Sequence, residues 1–168
     1  MFLHKPVAIV GGSSSFENAP FSDLSIDIWA FNNKGSHYPR LSALIDIHER
    51  EEQEQYAGYV EWRNSTDVHL ITRENYPFDE ALALTDNVLL KGKKLQYFTS
   101  SFAWAIALAI LQERPKIYIY GVELTTTKEY KEQRDCFTFW TGFAAGSGIP
   151  IEINCAEKIF KHSLYGRK

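Results

Sequence analysis

Apolar residues in this chain fall in short runs, and polar turn formers separate them. Residues 6–10 read Pro-Val-Ala-Ile-Val and stop at Gly11-Gly12, which predicts a buried strand and a small-residue loop through Ser13, Ser14 and Ser15. Residues 25–31 alternate around Ile26, Ile28 and Ala30 and end at Asn32-Asn33, a second strand closed by a polar turn. Residues 44–47 make a third strand, with His48 at its carboxyl end. Residues 49–59 are rich in Glu and Gln and predict a solvated helix. Residues 68–72 make a fourth strand, and residues 79–84 a short helix with Asp79 as N-cap.

The second half is patterned more strongly. Residues 95–98 read as a strand before Thr99-Ser100-Ser101. Residues 102–112 are apolar on every side, the mark of a buried helix, and Pro115 lies just beyond them. Residues 116–120 form a strand that closes on Gly121. Residues 128–145 place Cys136, Phe137, Trp140, Phe143 and Ala144 on one stripe of a helix, with Gly146 and Gly148 suited to its C-terminal cap. A last strand spans 149–153, and a final short helix covers 156–164. Strands made of short apolar runs alternate with helices, so the expected fold is α/β: one domain over residues 1–168, a mainly parallel sheet with helices on both faces.

Composition sharpens this in three ways. Aromatic residues number 24 (11 Phe, 9 Tyr, 4 Trp) and 45% of the chain is apolar, which excludes a disordered or low-complexity chain. Net charge is −3, which argues against a nucleic-acid or anionic-membrane surface. Nucleic acid stays open only as an acceptor. The two cysteines, Cys136 and Cys155, lie in no CxxC pair and no His cluster has zinc spacing, so reduced thiols and no metal site are expected. The N-terminus has no signal-peptide pattern, and the most apolar stretch is too short to span a bilayer, which needs about 20 residues. The expectation is a cytoplasmic protein with no membrane partner, with a symmetric dimer left open.

In a parallel sheet, ligands bind beyond the carboxyl ends of the strands. Five groups of polar residues fall there. Gly11, Gly12, Ser13 and Ser14 can bring backbone and hydroxyl donors close to a phosphate, although the loop is neither GxGxxG nor a Walker motif. Asn32 and Asn33 form a turn or read a base or ribose edge. His48, among acidic neighbours, is a candidate general base or acid beside the commoner structural role of a lone histidine. Ser100 and Ser101 cap the buried helix and can also face an anion. Gly121 and Glu123 end the sixth strand; Tyr130 and Arg134 share one face of the following helix, where they can hold a phosphate or a substrate carboxylate, or simply be solvated. Phe16, Phe21, Tyr76, Phe78, Tyr97 and Tyr130 lie near loops or strand ends, where a base can stack.

Taken in order, Tyr97-Phe98-Thr99-Ser100-Ser101, the Ala-rich residues 103–111, Ile117-Tyr118-Ile119-Tyr120-Gly121-Val122-Glu123, Tyr130 with Arg134, and Trp140-Thr141-Gly142-Phe143 resemble small bacteriophage proteins. These in turn resemble the Rossmann-like superfamily of bacterial CMP-sialic-acid sialyltransferases and archaeal-type hydroxymethylpterin pyrophosphokinases. The resemblance implies a Rossmann-like domain in which Gly11 to Ser15, Asn32 or Asn33, Ser100-Ser101 and Gly121 with Glu123 surround a nucleotide or nucleotide sugar. Tyr130 then matches a tyrosine that helps the leaving phosphate. The first loop departs from the family's Gly-x-Gly-Pro-Ser, Glu123 stands where the family has Asp, and residues 70–161 hold no His. If there is turnover, the reaction is glycosyl or phosphoryl transfer, with His48 or Glu123 taking the acceptor proton. The alternative is a binding protein without turnover, one that sequesters a nucleotide signal of host defence. A phage-encoded chain would act in the host cytoplasm.

Overall fold

A computed structural model of the chain describes residues 4–124 and 128–154, without the side chains of residue 50 and residues 128–132. Six parallel strands form one sheet: β1 (Val7–Val10), β2 (Asp27–Phe31), β3 (Ala43–Asp46), β4 (His69–Thr72), β7 (Ile117–Tyr120) and β8 (Ile151–Asn154). Their order is β4-β3-β2-β1-β7-β8. Chain order therefore reverses between β1 and β7, which pair from Val7↔Ile117 to Val10↔Tyr120. That reversal leaves a crevice beyond the strand ends. The expected α/β architecture is the one found.

Side-chain alternation explains why both faces are covered. Val7, Ile9, Trp29, Ile117 and Ile119 point to one face and meet helices α3 (Phe78–Ala83), α4 (Ser101–Leu111) and α5 (Lys128–Gly146). Ala8, Val10, Ile28 and Tyr120 point to the other, against Phe16, Phe21 and Tyr38. Ala30 and Leu44 on that face pack with Tyr59 of α2 (Tyr59–Ser65). The α5 stripe is as patterned: Cys136, Phe137, Trp140 and Ala144 are fully buried. Helix α4 is wedged between the sheet and α5, which accounts for its apolar character all round.

Three local expectations are corrected, and one element is new. The Glu/Gln-rich stretch holds only one short helix, α1 (Arg50–Gln53); residues 54–58 turn, and α2 starts at Tyr59 behind Gly58, which takes φ +75° at the N-cap position. Helix α3 starts at Phe78 with Pro77 at the N-cap position, so Asp79 lies in its first turn, where its charge still suits the helix dipole. Residues 95–98 are not a strand. The Tyr97 carbonyl instead accepts from the Trp140 indole at 2.6 Å, which ties the segment to α5. Ahead of it lies an unpredicted hairpin, β5 (Leu89–Leu90) with β6 (Lys93–Lys94), turning on Lys91 and Gly92, both at positive φ. The expected helix at 156–164 and Cys155 lie outside the described residues. Among the described residues, no helix is long and apolar enough to cross a membrane, and no His/Cys/Asp/Glu group could hold a metal ion.

Candidate functional site

The β1–β7 junction is held closed at its base by two glycines. A Cβ on Gly11 would lie 2.5 Å from the Gly121 carbonyl oxygen, and one on Gly121 would lie 2.3 Å from that of Gly11. Gly121 also has φ +67°. No side chain fits at either position, so both are required by close strand approach whether or not a ligand is present. The Gly11 and Ser13 amides are committed as well: they donate to Tyr120 and Gly121 carbonyls at 2.9 and 3.0 Å. Ser15 Oγ accepts from the Gly121 amide at 3.1 Å. Tyr38, its hydroxyl pKa pushed up to about 12 by burial, donates to the Gly11 carbonyl at 2.5 Å. The loop is thus a rigid, cross-braced rim.

Above that base opens a cleft of about 490 Å³. Gly11, Gly12 and Ser13 line one wall, Gly121 to Leu124 another, and Phe31, Asn32 and Lys34 a third. Ser14 reaches across to Glu123, its Oγ donating to Oε1 at 3.4 Å. Lys34 is the one cationic residue among the described lining residues; its stem lies over Gly12, where a Cβ would come within 3.2 Å of Lys34 Cγ. Two non-glycine lining residues hold positive φ, Asn32 at 48° and Leu124 at 44°. Such backbone is costly away from glycine, and it gathers at functional sites. Asn32 Oδ1 is buried with no hydrogen-bond partner.

A second cavity, of about 200 Å³, adjoins this cleft and shares Asn32 and Tyr56 with it. His48 lines it, one-third exposed. Asp46, two residues back at the end of β3, has a fully buried side chain. Its Oδ2 accepts from the Tyr59 hydroxyl at 2.7 Å and lies 3.4 Å from Arg63 Nε. Its Oδ1 faces His48 Nδ1 at 3.6 Å, longer than a hydrogen bond. Burial alone would raise the Asp46 pKa. The neighbouring His48 and Tyr59, with the Arg63 charge, outweigh burial and hold the carboxyl below its ordinary value. The same carboxylate, and then Glu52, hold His48 above the usual imidazole value against the opposing pull of burial. Burial and Asp46 together raise the Tyr59 hydroxyl, which stays protonated. Asp46, His48 and Gln53 also line a third cavity, of about 330 Å³, together with Arg63.

The structure therefore brings Gly11, Gly12, Ser13, Asn32, Gly121 and Glu123 to one cleft, places Ser14 against Glu123, and puts His48 next door. Asn33 stands apart, its carbonyl accepting from Ser36 Oγ at 2.7 Å. Ser100 caps α4, its Oγ accepting from the Ala103 amide at 3.3 Å; neither it nor Ser101 lines the cleft. Arg134 lies on α5 outside the lining residues, and the Tyr130 side chain lies outside the described ones. The loop aromatics named for stacking pack elsewhere: Tyr76 and Phe78 against Trp104, Tyr97 against Phe139, Phe16 and Phe21 against Tyr38. Tyr56, 48% exposed, is the aromatic on the rim of both cavities. Tyr56 and Lys34 carried no motif; Asp46 was legible through its two-residue spacing from His48.

No protein-family model matches the sequence, and no curated protein matches it. Solved structures do share its fold. Thiamine pyrophosphokinase from Bacillus subtilis superposes with TM-score 0.51 at 9% identity, over 89% of this chain and 60% of its own. The Campylobacter jejuni sialyltransferase CstII, in complex with the substrate analogue CMP-3FNeuAc, gives TM-score 0.50 at 14% identity, over 90% of this chain and 81% of its own. The chain thus spans about 60% of the pyrophosphokinase's length. The sialyltransferase is of a kind that the sequence resemblance named; the pyrophosphokinase acts on thiamine, where the resemblance named pterin pyrophosphokinases. At these identities the likeness is one of fold.

Proposed function

We propose that the cleft beyond β1 and β7 binds a nucleotide or nucleotide sugar, and that the protein is a transferase-like enzyme acting by glycosyl or phosphoryl transfer. The observation that carries this reading is the cleft's position and chemistry. It lies where the strand order reverses, its floor is backbone that two glycines keep bare, and Lys34 supplies one positive charge beside Gly12. In this reading Lys34 and the Gly12–Ser14 segment hold phosphate, Asn32 and Glu123 hold ribose or sugar hydroxyls, and Tyr56 offers a ring face for the base. The acid–base groups on the walls are Glu123 here and His48 in the adjoining cavity. The fold shared with CstII, which was solved with a CMP-sugar analogue, supports the same ligand class.

Calorimetry against mono-, di- and cyclic nucleotides and nucleotide sugars tests it. At least one of them binds with a micromolar or tighter Kd, and Lys34→Ala weakens that binding by the worth of one charge-assisted contact, about 1.5–3 kcal/mol or roughly 10- to 150-fold. Silence from every ligand at high micromolar concentration overturns the reading.

A further inference from the structure

Among the described residues, Leu89 and Leu90 on the β5–β6 hairpin are neighbouring large hydrophobic side chains left 60% and 62% exposed. Apolar residues exposed singly are ordinary; an adjacent pair on a projecting tip marks a contact surface. The same tip holds Lys91, Lys93 and Lys94, all exposed. We propose that the hairpin is a membrane-contacting finger: its leucines enter the headgroup–acyl boundary of an anionic bilayer, and its lysines meet the lipid phosphates. This role is independent of what the cleft binds.

Three features favour a fluid, negatively charged layer over a protein surface. The first is that the tip is apolar on both sides. Strands β5 and β6 pair only with each other, Leu89 with Lys94 and Leu90 with Lys93. Cross-strand partners share a face and successive residues alternate, so the two leucines point to opposite faces of the ribbon. A flat protein patch covers one face and leaves the other leucine wet; fluid acyl chains surround both. The second is local charge. Net charge −3 argues against an anionic surface for the chain as a whole, yet residues 87–112 contain no Asp or Glu. Asp86 pairs with Lys94 at 2.5 Å, and neither Lys91 nor Lys93 has an ion pair among the described residues. Their long stems let the ammonium groups stay at the phosphates while the leucines go deeper.

The third is rigidity. Lys91 at φ +51° and Gly92 at φ +77° form a tight turn. At the base, the Leu95 amide donates to the Val88 carbonyl at 2.8 Å, and the buried Thr85 donates its hydroxyl to the Leu95 carbonyl at 2.7 Å. The finger is preformed and loses little freedom on docking. Its strands reach about 7 Å at about 3.4 Å per residue, within the depth of about 5–10 Å typical of interfacial insertion. Two leucines and three lysines at an anionic surface give weak, reversible partitioning, with half the protein bound at on the order of 0.1 mM lipid.

Flotation of the full chain with vesicles of equal parts phosphatidylcholine and phosphatidylglycerol tests this. Binding is expected there and not on phosphatidylcholine alone. Raising salt from about 0.1 to about 1 M is expected to weaken it, because the Debye length falls from about 10 to about 3 Å. Replacing both leucines, Leu89→Ser with Leu90→Ser, is expected to lower the partition coefficient at least about 20-fold. Lys91→Ala with Lys93→Ala is expected to lower it roughly 30-fold. Lys116→Ala, at the opposite end of the sheet, leaves it unchanged. All four hairpin side chains are exposed, so both double variants keep the wild-type melting curve and a loss of binding is not a loss of fold. No flotation at millimolar anionic lipid overturns the proposal. So does flotation that either double variant retains in full, since charge alone or apolar contact alone would then suffice. Capture of the chain by poly-glutamate with the vesicles ignored would point to an acidic protein partner and equally overturn it.

Discussion

At the residue scale the most informative group is Asp46, a carboxylate that lost all its water on folding and recovered a hydroxyl, a guanidinium and an imidazole. Its partner His48 has a folded-state pKa above the ordinary value of about 6.5. The charged imidazole therefore stabilises the fold fully below about pH 6.5, and that contribution fades as pH rises through the higher folded value. Asp46 has the opposite sign. Its lowered pKa gives stability above the usual carboxylate range, lost as pH falls through the folded value. Urea melts of wild type and His48→Gln are therefore expected to differ most near pH 5–6 and to converge in mild alkali. A difference that grows with pH would show the pair to be wrongly described. Asp46→Asn is expected to return the His48 NMR titration midpoint towards about 6.5. The Asp46–His48 spacing was on the page of the sequence; Tyr59 and Arg63 were not, because a helix thirteen or more residues later brings them in.

At the scale of elements, the carboxyl ends of β1 and β7 depend on backbone contact. Gly121→Ala adds a Cβ 2.3 Å from the Gly11 carbonyl at a positive φ, and the neighbour is backbone that cannot swing away. The expected loss is at least about 2 kcal/mol, a fall in Tm of about 4–8 °C for a chain of this size. An unchanged melting curve would refute the close approach. Ser100→Ala removes the α4 cap and is expected to cost about 0.5–2 kcal/mol with nucleotide affinity unaltered, since Ser100 lies off the cleft. A loss of affinity without loss of stability would instead place Ser100 at the ligand. Elements with strong local patterns were legible. Helix α5 follows its stripe from Cys136 to Ala144, and the strands of the sheet follow their apolar runs. The misreadings came where tertiary context decides. Residues 95–98 look like a strand by composition, yet the Tyr97 carbonyl serves Trp140, while the β5–β6 hairpin is only two residues long on each side. The Glu- and Gln-rich helix stops at Gln53, where its content alone gave no reason to break, and the next helix starts behind Gly58.

At the scale of the molecule, the described aromatics serve packing almost throughout. Phe98, Trp104, Trp140, Phe139 and Phe143 form a continuous ring cluster between α4 and α5, and the loop aromatics join this core or the smaller one around Tyr38. Among the described aromatics, Tyr56 is the exception, exposed at the junction of two cavities. The same topology that buries the strands opens one crevice where the chain order reverses, and the Gly/Ser loop, Asn32 and Glu123 were legible because they end strands. Lys34 and Tyr56 were not, because neither a lone lysine nor a tyrosine in a charged stretch carries a spacing rule. The central claim, that this crevice holds a nucleotide, is tested most directly by amide chemical-shift mapping with the tightest-binding nucleotide at saturation. Shifts are expected at Gly12, Ser13, Asn32, Lys34 and Glu123, with Lys5, Arg114 and Lys116 at the opposite end of the sheet unmoved. Shifts confined to that opposite end, or to the β5–β6 hairpin, would contradict it.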